Sequence, residues 1–332
     1  MQFPETFPAS ADEAGLQLHS NGGLRHLLTL KNLQRDLLVD LLDAAQHFVT
    51  PNGRIAARSD SLRGYTIANL FFEPSTRTRA SFDLAGKRLG ADVLNLDVNA
   101  SSRKKGESIL DTIYTLQAMH VDIMVIRDAS AGVPAYIAQN VEDHVSILNA
   151  GESDVSHPTQ GLLDLLTIRQ HFPDFAELTV TIVGDIAHSR VARSAAHGLH
   201  TMGVSDIRLV SPAALAPQAD EMPFATLTDS LDEGLRDANV VMGLRIQRER
   251  IADLDGIPDV EDYYANYGIT AARLAIAATD AIVMHPGPMN RGIEIESSLA
   301  DSSRSVITQQ VSNGVAVRMA ILERVVDTVT RR

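Results

Sequence analysis

This chain of 332 residues reads as an α/β protein built from two doubly wound parallel-sheet domains. Three observations predict that class. Short apolar runs alternate with helix-period stretches from residue 65 onward, which is the pattern of parallel strands joined by crossover helices. The alternation restarts at LTVTIVGD (178–185), after a helical stretch at 158–172 that would join the two halves. The length itself suits about two domains.

The first 25 residues hold two prolines and a Ser-Asn-Gly-Gly turn, and they predict an extension rather than core. LKNLQRDLLVDLLDAAQHF (30–48) has helical apolar spacing. Strands follow at 65–72, 91–97, 121–128 and 144–151, with helices at 76–89, 106–119, 132–141 and 158–172. The second half offers strands at 178–185, 206–212, 239–245 and 280–287. Its helices fall at 189–203, 227–238 and 268–278, with a long terminal helix over 306–332. Residues 246–267 are charged and irregular and predict a mobile loop.

Composition narrows the function. The net charge of −13 disfavours nucleic acid and anionic membrane surfaces, so local basic clusters become informative. The chain has no cysteine, which excludes disulfides, thiolate metal sites and a thiol nucleophile. The start lacks a secretory pattern and no apolar run reaches a spanning length, so the cytoplasm is the expected location. Neither G-x-G-x-x-G nor the P-loop pattern occurs, which removes the main support for a nicotinamide dehydrogenase and for a P-loop nucleotide site. No metal-ligand spacing appears, and no cofactor is expected.

Ligands of open α/β sheets bind beyond the carboxyl ends of the strands, so polar residues there carry most weight. Ser75-Thr76-Arg77-Thr78-Arg79 lies between a strand and a helix. Free N–H groups at the helix start, three hydroxyls and bidentate arginine make a phosphate cradle. The plainer alternative is an N-cap at Ser75 with solvated arginines. Arg127 ends VDIMVIRD, where an ion pair with Asp128 or Asp122 would also account for it. His157-Pro158-Thr159-Gln160 opens a helix and sets an imidazole and an amide one turn apart, suited to a carbonyl oxygen and an amide. Arg190, Arg245 and Gln247 suit carboxylates. Ser101, Lys104 and Lys105 sit in NASSRKKGES, a basic loop that by itself reads as solvated.

FFEPSTRTRASF together with HPTQ resembles the carbamoyltransferase family, and VIRD, GDIAHSRVARS and HPGP extend the likeness from about residue 26 to the end. GLRIQRER and NASSRKKGES resemble its aspartate branch; the S-M-G and H-C-L-P segments of the ornithine branch are absent. The resemblance implies that carbamoyl phosphate and L-aspartate give N-carbamoyl-L-aspartate and phosphate, the committed step of pyrimidine synthesis. It implies a carbamoyl-phosphate domain (26–158), with the terminal helix 306–332 packing back on it, and an aspartate domain (159–305), behind the extension 1–25. It implies a homotrimer with shared active sites.

By the same resemblance, Ser75, Thr76, Arg77 and Thr78 hold the phosphate and Arg127 reaches phosphate and carbonyl oxygen. His157 and Thr78 polarise that oxygen, Gln160 holds the carbamoyl NH2, and the backbone at Gly287 and Pro288 meets the nitrogens. Ser101 and Lys105 arrive from a neighbouring subunit, and Arg190, Arg245 and Gln247, with Lys105, bind aspartate. The HPGP segment (285–288), where many chains have H-P-L-P, resembles a bacterial branch. Some of its members assemble with a dihydroorotase or dihydroorotase-like protein rather than a zinc-bearing regulatory subunit. Two alternatives stay open at this point: a carbamoyltransferase for ornithine or an N-acylated relative, and a non-catalytic scaffold of the same fold.

Overall fold

The computed structural model describes residues 13–55, 58–96, 108–247, 251 and 256–330. Residues up to Leu162, together with those from Ser312 on, form one unit, and Leu163–Val311 form a second.

The first unit begins with helices α1 (Glu13–Leu16) and α2 (Arg35–His47). Strands β1 (Thr66–Phe71), β2 (Asp92–Leu96), β3 (Ile123–Asp128) and β4 (Ser146–Glu152) alternate with helices α3 (Thr76–Arg88), α4 (Ile109–Ala118) and α5 (Val133–Ala138). The strands form one parallel sheet in the order β2-β1-β3-β4. Both β3 and β4 are buried along their whole length, as strands of a parallel sheet covered on both faces should be, although β4 also buries Ser146, Asn149 and Glu152. The edge strand β2 exposes Asp92, Leu94 and Asn95. Ile113 and Leu116 of α4, Ile137 and Ala138 of α5, and Met124, Ile126 and Ile147 of the sheet share one core. Helix α3 can lie close to the sheet because of Gly86: a Cβ there would come within 2.8 Å of both Ile67 and Val93.

Part of the segment expected as an extension is interior. Gln17 and Leu24 are buried, and Gln17 Oε1 accepts from the backbone N–H of Leu28 (2.6 Å) and Thr29 (2.9 Å). Leu27 then pairs with Leu148 in a single parallel bridge beside β4. A lone glutamine bonding to backbone leaves no periodic signal.

Helix α6 (Pro158–His171) follows β4, and its residues from Leu163 belong to the second unit. That unit carries β5 (Thr179–Val183), α7 (Arg190–Met202), β6 (Asp206–Val210), β7 (Thr226–Thr228), α8 (Leu231–Leu235) and β8 (Val240–Gly243). After these come α9 (Val260–Tyr267), α10 (Ala271–Leu274), β9 (Ile282–Met284), α11 (Ser297–Ala300) and the start of α12 (Ile307–Thr330). The sheet is again parallel, in the order β7-β6-β5-β8-β9. Two parallel α/β sheets match the predicted class.

Three local readings change. The helix expected over 227–238 is a short edge strand, β7, followed by α8, because the Ser230 hydroxyl accepts from Glu233 N–H and starts the helix late. The loop expected over 246–267 contains α9, whose Asp259 carboxylate caps it through Asp262 N–H. The helix expected over 268–278 shrinks to α10, capped by Thr270. Each new start is set by a Ser, Asp or Thr whose side chain satisfies an orphan helix donor.

Candidate active site

In the first unit the carboxyl ends of β1, β3 and β4 lie side by side, with Phe71 opposite Arg127 and Asp128 opposite Glu152. Those ends lead into Ser75–Arg79, Arg127 and His157–Gln160. Ser75 is extended (φ −158°) before α3, and its hydroxyl makes no capping bond to that helix. Ser108, Ser189, Ser230, Asp259 and Thr270 do cap their helices, so the capping role offered above for Ser75 does not apply. Thr76 and Arg77 face solvent and Thr78 is buried, so the first turn presents both a wet and a dry wall.

Arg127 is buried. Its Nη2 donates to Glu73 Oε1 (2.7 Å) and its Nη1 to the Ala150 carbonyl (3.2 Å). Of the two partners the sequence offered, Asp122 accepts from Thr66 N–H (2.8 Å) and Asp128 accepts from Ser130 N–H (2.8 Å). Glu73 was missed, although it stands in the FFEPST run itself. It fixes a guanidinium at the strand end, and a carboxylate partner also leaves the fork's remaining N–H groups directed by geometry. His157 is buried ahead of α6, and its carbonyl accepts from Gln160 N–H (3.0 Å) and Gly161 N–H (3.2 Å), so the His157–Gln160 turn is rigid. Gln160 is half-buried.

The second unit gathers the other group. Chain order reverses between β5 and β8, the place where open α/β sheets leave a crevice. Asp185 follows β5, fully buried. Its Oδ1 accepts from His188 N–H (3.1 Å) and lies 2.8 Å from His188 Nδ1, while its Oδ2 accepts from Gln247 N–H (3.0 Å). Gln247 Nε2 in turn donates to the His188 carbonyl (2.9 Å). These bonds tie the Arg245–Gln247 stretch to the stretch that ends in Ser189 and Arg190. Gly184 permits the approach: at φ +136° a Cβ would lie 2.4 Å from the Leu244 carbonyl oxygen. Arg190 is the buried first residue of α7.

Beside Arg245, burial pushes the Glu294 carboxyl up, against hydrogen bonds from Asn290 and the Arg245 charge. Tyr263 packs with Ile246; burial, then the Glu294 and Asp185 carboxylates, push its phenol up. Neither residue was singled out from sequence: Tyr263 stands in the stretch read as irregular, and Glu294 in one given no element. Gly287 N–H donates to His285 Nδ1 (2.9 Å), which shapes the turn carrying Gly287 and Pro288; the Gly287–Pro288 peptide is cis. Ser101, Lys104 and Lys105 lie outside the described residues. Among the described residues no helix is long and apolar enough to cross a membrane.

Comparison with known proteins finds two family matches along the chain. Residues 25–170 match the description "Aspartate/ornithine carbamoyltransferase, carbamoyl-P binding domain". Residues 176–325 match "Aspartate/ornithine carbamoyltransferase, Asp/Orn binding domain". An aspartate transcarbamoylase of Trypanosoma cruzi, solved with carbamoyl phosphate and aspartate, is 32% identical with a TM-score of 0.80; the match covers 90% of this chain and 96% of that one. The catalytic subunit of M. jannaschii aspartate transcarbamoylase is 31% identical with a TM-score of 0.81, over 93% of this chain and 100% of that one. Ornithine carbamoyltransferase from Thermus thermophilus, at 23% identity and TM-score 0.80 over 91% and 99% of the two chains, shares the fold.

Proposed function

Because the chain belongs to the aspartate/ornithine carbamoyltransferase family, we propose that it transfers the carbamoyl group of carbamoyl phosphate to the amino group of L-aspartate. The products are N-carbamoyl-L-aspartate and phosphate, and the role is in pyrimidine synthesis. The observation that carries the first half is the alignment of Ser75–Arg79, Arg127 and His157–Gln160 at the carboxyl ends of three adjacent strands. The aspartate branch is favoured by the bonding that joins Arg245–Gln247 to Asp185–Arg190, an arginine-bearing cluster suited to a dicarboxylate.

The mechanism follows from charge. The amine of aspartate attacks the carbonyl carbon, an oxyanion develops, and the C–O bond to phosphate breaks. Preformed donors aimed at that oxygen are worth roughly 3 kcal/mol each. His157, Thr78 and Arg127 are the donors in this reading. Ser75, Thr76, Arg77 and Thr78 hold the phosphate; Arg77 stabilises its charge as it leaves. Gln160 holds the carbamoyl NH2 and the Gly287–Pro288 backbone the attacking nitrogen. Arg190, Arg245 and Gln247 orient aspartate, and the leaving phosphate takes the amine proton. Holding both substrates supplies the orientation term. In the same reading Ser101 and Lys105 reach the site from a second copy in a homotrimer. The HPGP segment is what points this reading to a larger assembly with a dihydroorotase or dihydroorotase-like protein.

Phosphate release and carbamoyl-amino-acid formation, measured with L-aspartate and L-ornithine side by side, test the proposal. Product with aspartate and none with ornithine is expected. Product with ornithine alone overturns the acceptor assignment, and no consumption of carbamoyl phosphate with either removes the enzymatic reading.

A further inference from the structure

Helix α12 buries Val317, Met319, Ala320, Ile321 and Leu322, yet Arg318 stands among them, only 3% exposed. A guanidinium is costly to bury, so its contacts indicate what it serves. Nη1 donates to the Gly314 carbonyl (2.8 Å), one turn earlier on the same helix. Nη2 donates to Thr159 Oγ1 (3.3 Å). The guanidinium carbon lies 5.0 Å from the centre of the Phe82 ring. Thr159 is fully buried in the first turn of α6, between His157 and Gln160. Phe82 is fully buried on α3, four residues after Thr78 and therefore on the same helix face. One side chain of the terminal helix thus touches the element that starts with Ser75–Thr78 and the turn His157–Gln160.

We propose that Arg318 is a positioning residue for carbamoyl phosphate: it braces the start of α3 against the start of α6. The brace fixes the spacing between the phosphate donors of one helix start and the carbonyl and amide donors of the other. This rests on the functional reading above and extends it to a residue outside the motifs. The planar guanidinium suits the task, since its face stacks on an aromatic ring while its edge donates. Lysine, a point charge on a flexible stem, cannot do both. The spacing matters because binding constellations work only when held within about half an ångström.

The test uses the full chain with Arg318→Lys, Arg318→Met and Thr159→Val. The readouts are KM for each substrate, binding of inorganic phosphate and the thermal midpoint. The expected result is a tenfold or greater rise in KM for carbamoyl phosphate, with a matching loss of phosphate affinity. KM for aspartate at saturating carbamoyl phosphate should move less than threefold. Arg318→Lys should recover the midpoint of the parent without recovering KM. Thr159→Val should raise the same KM, and combined with Arg318→Lys it should add little. Should Arg318→Met not fold, the lysine and valine variants decide alone. Variants that bind phosphate like the parent, or a parallel rise in both KM values, overturn the brace. A parent chain that neither binds phosphate nor consumes carbamoyl phosphate removes the functional reading and the brace with it.

Discussion

Asp185 is fully buried with both oxygens occupied, and none of its partners is a substrate in the proposed chemistry. Its role is to hold Gln247 and His188 in register. In Asp185→Asn one of the two positions becomes an NH2 that faces an N–H. A buried donor left without an acceptor costs about 1–3 kcal/mol. Because about 1.4 kcal/mol is a factor of ten, KM for aspartate should rise about fivefold or more in that variant. KM for carbamoyl phosphate should stay near the parent value. Steady-state kinetics with each substrate varied in turn checks it, and equal rises in both would place Asp185 in general folding instead. At this scale the sequence was legible where residues crowd a strand end, as in Ser75–Arg79. It was not legible where a residue acts through backbone, as Asp185 does on Gln247 N–H, or through a distant partner, as Glu73 does on Arg127.

Among elements, the apolar run Ile123–Ile126 of β3 could be read directly, because burial on both faces favours hydrophobic residues in succession. Three-residue strands and helices set by a single cap, β7 and α10 among them, carry too few residues to show a period. The stretch Gln17–Thr29 is held by specific backbone bonds rather than by pattern, and His26 is one of its fasteners. His26 is fully buried, and its Nδ1 accepts from Ile147 N–H (2.9 Å). Burial foremost, with the charges of Arg25 and His19, lowers its pKa to about 3. Unfolded, the imidazole takes a proton near 6.5; folded, it resists until about 3. Below pH 6.5 the unfolded state therefore binds more protons. The stabilisation is complete above that pH and falls by about 1.4 kcal/mol per unit as the pH drops toward 3. Hydrogen exchange of the peptide spanning Ile147 should show its opening free energy falling by about 2 kcal/mol between pH 7 and pH 5. His26→Asn, which keeps an acceptor but does not titrate, should flatten that dependence. An equal slope in both proteins would remove His26 as the cause.

For the whole molecule, the class was legible because the strand–helix alternation occurs twice, whereas the strand orders depend on pairings that no local stretch contains. One consequence of the order in the first unit is that β2 is an edge, with Leu94 40% exposed on it and Leu84 49% exposed on the neighbouring α3. Edge strands with exposed apolar residues invite pairing or are covered by a partner. The segment that follows β2 in the chain carries Ser101 and Lys105. If sites are shared between subunits of the proposed homotrimer, Arg77→Ala and Lys105→Ala damage the same site from different subunits. Each variant alone should lose turnover by orders of magnitude. Mixed one to one and reassembled, they should form hybrid trimers that each contain one site with both residues intact. A cyclic trimer assembled at random then recovers about one quarter of parental turnover. Sites complete within one chain would give no recovery in hybrids verified by mass, so the measurement separates a trimer that merely associates from one whose chemistry requires it.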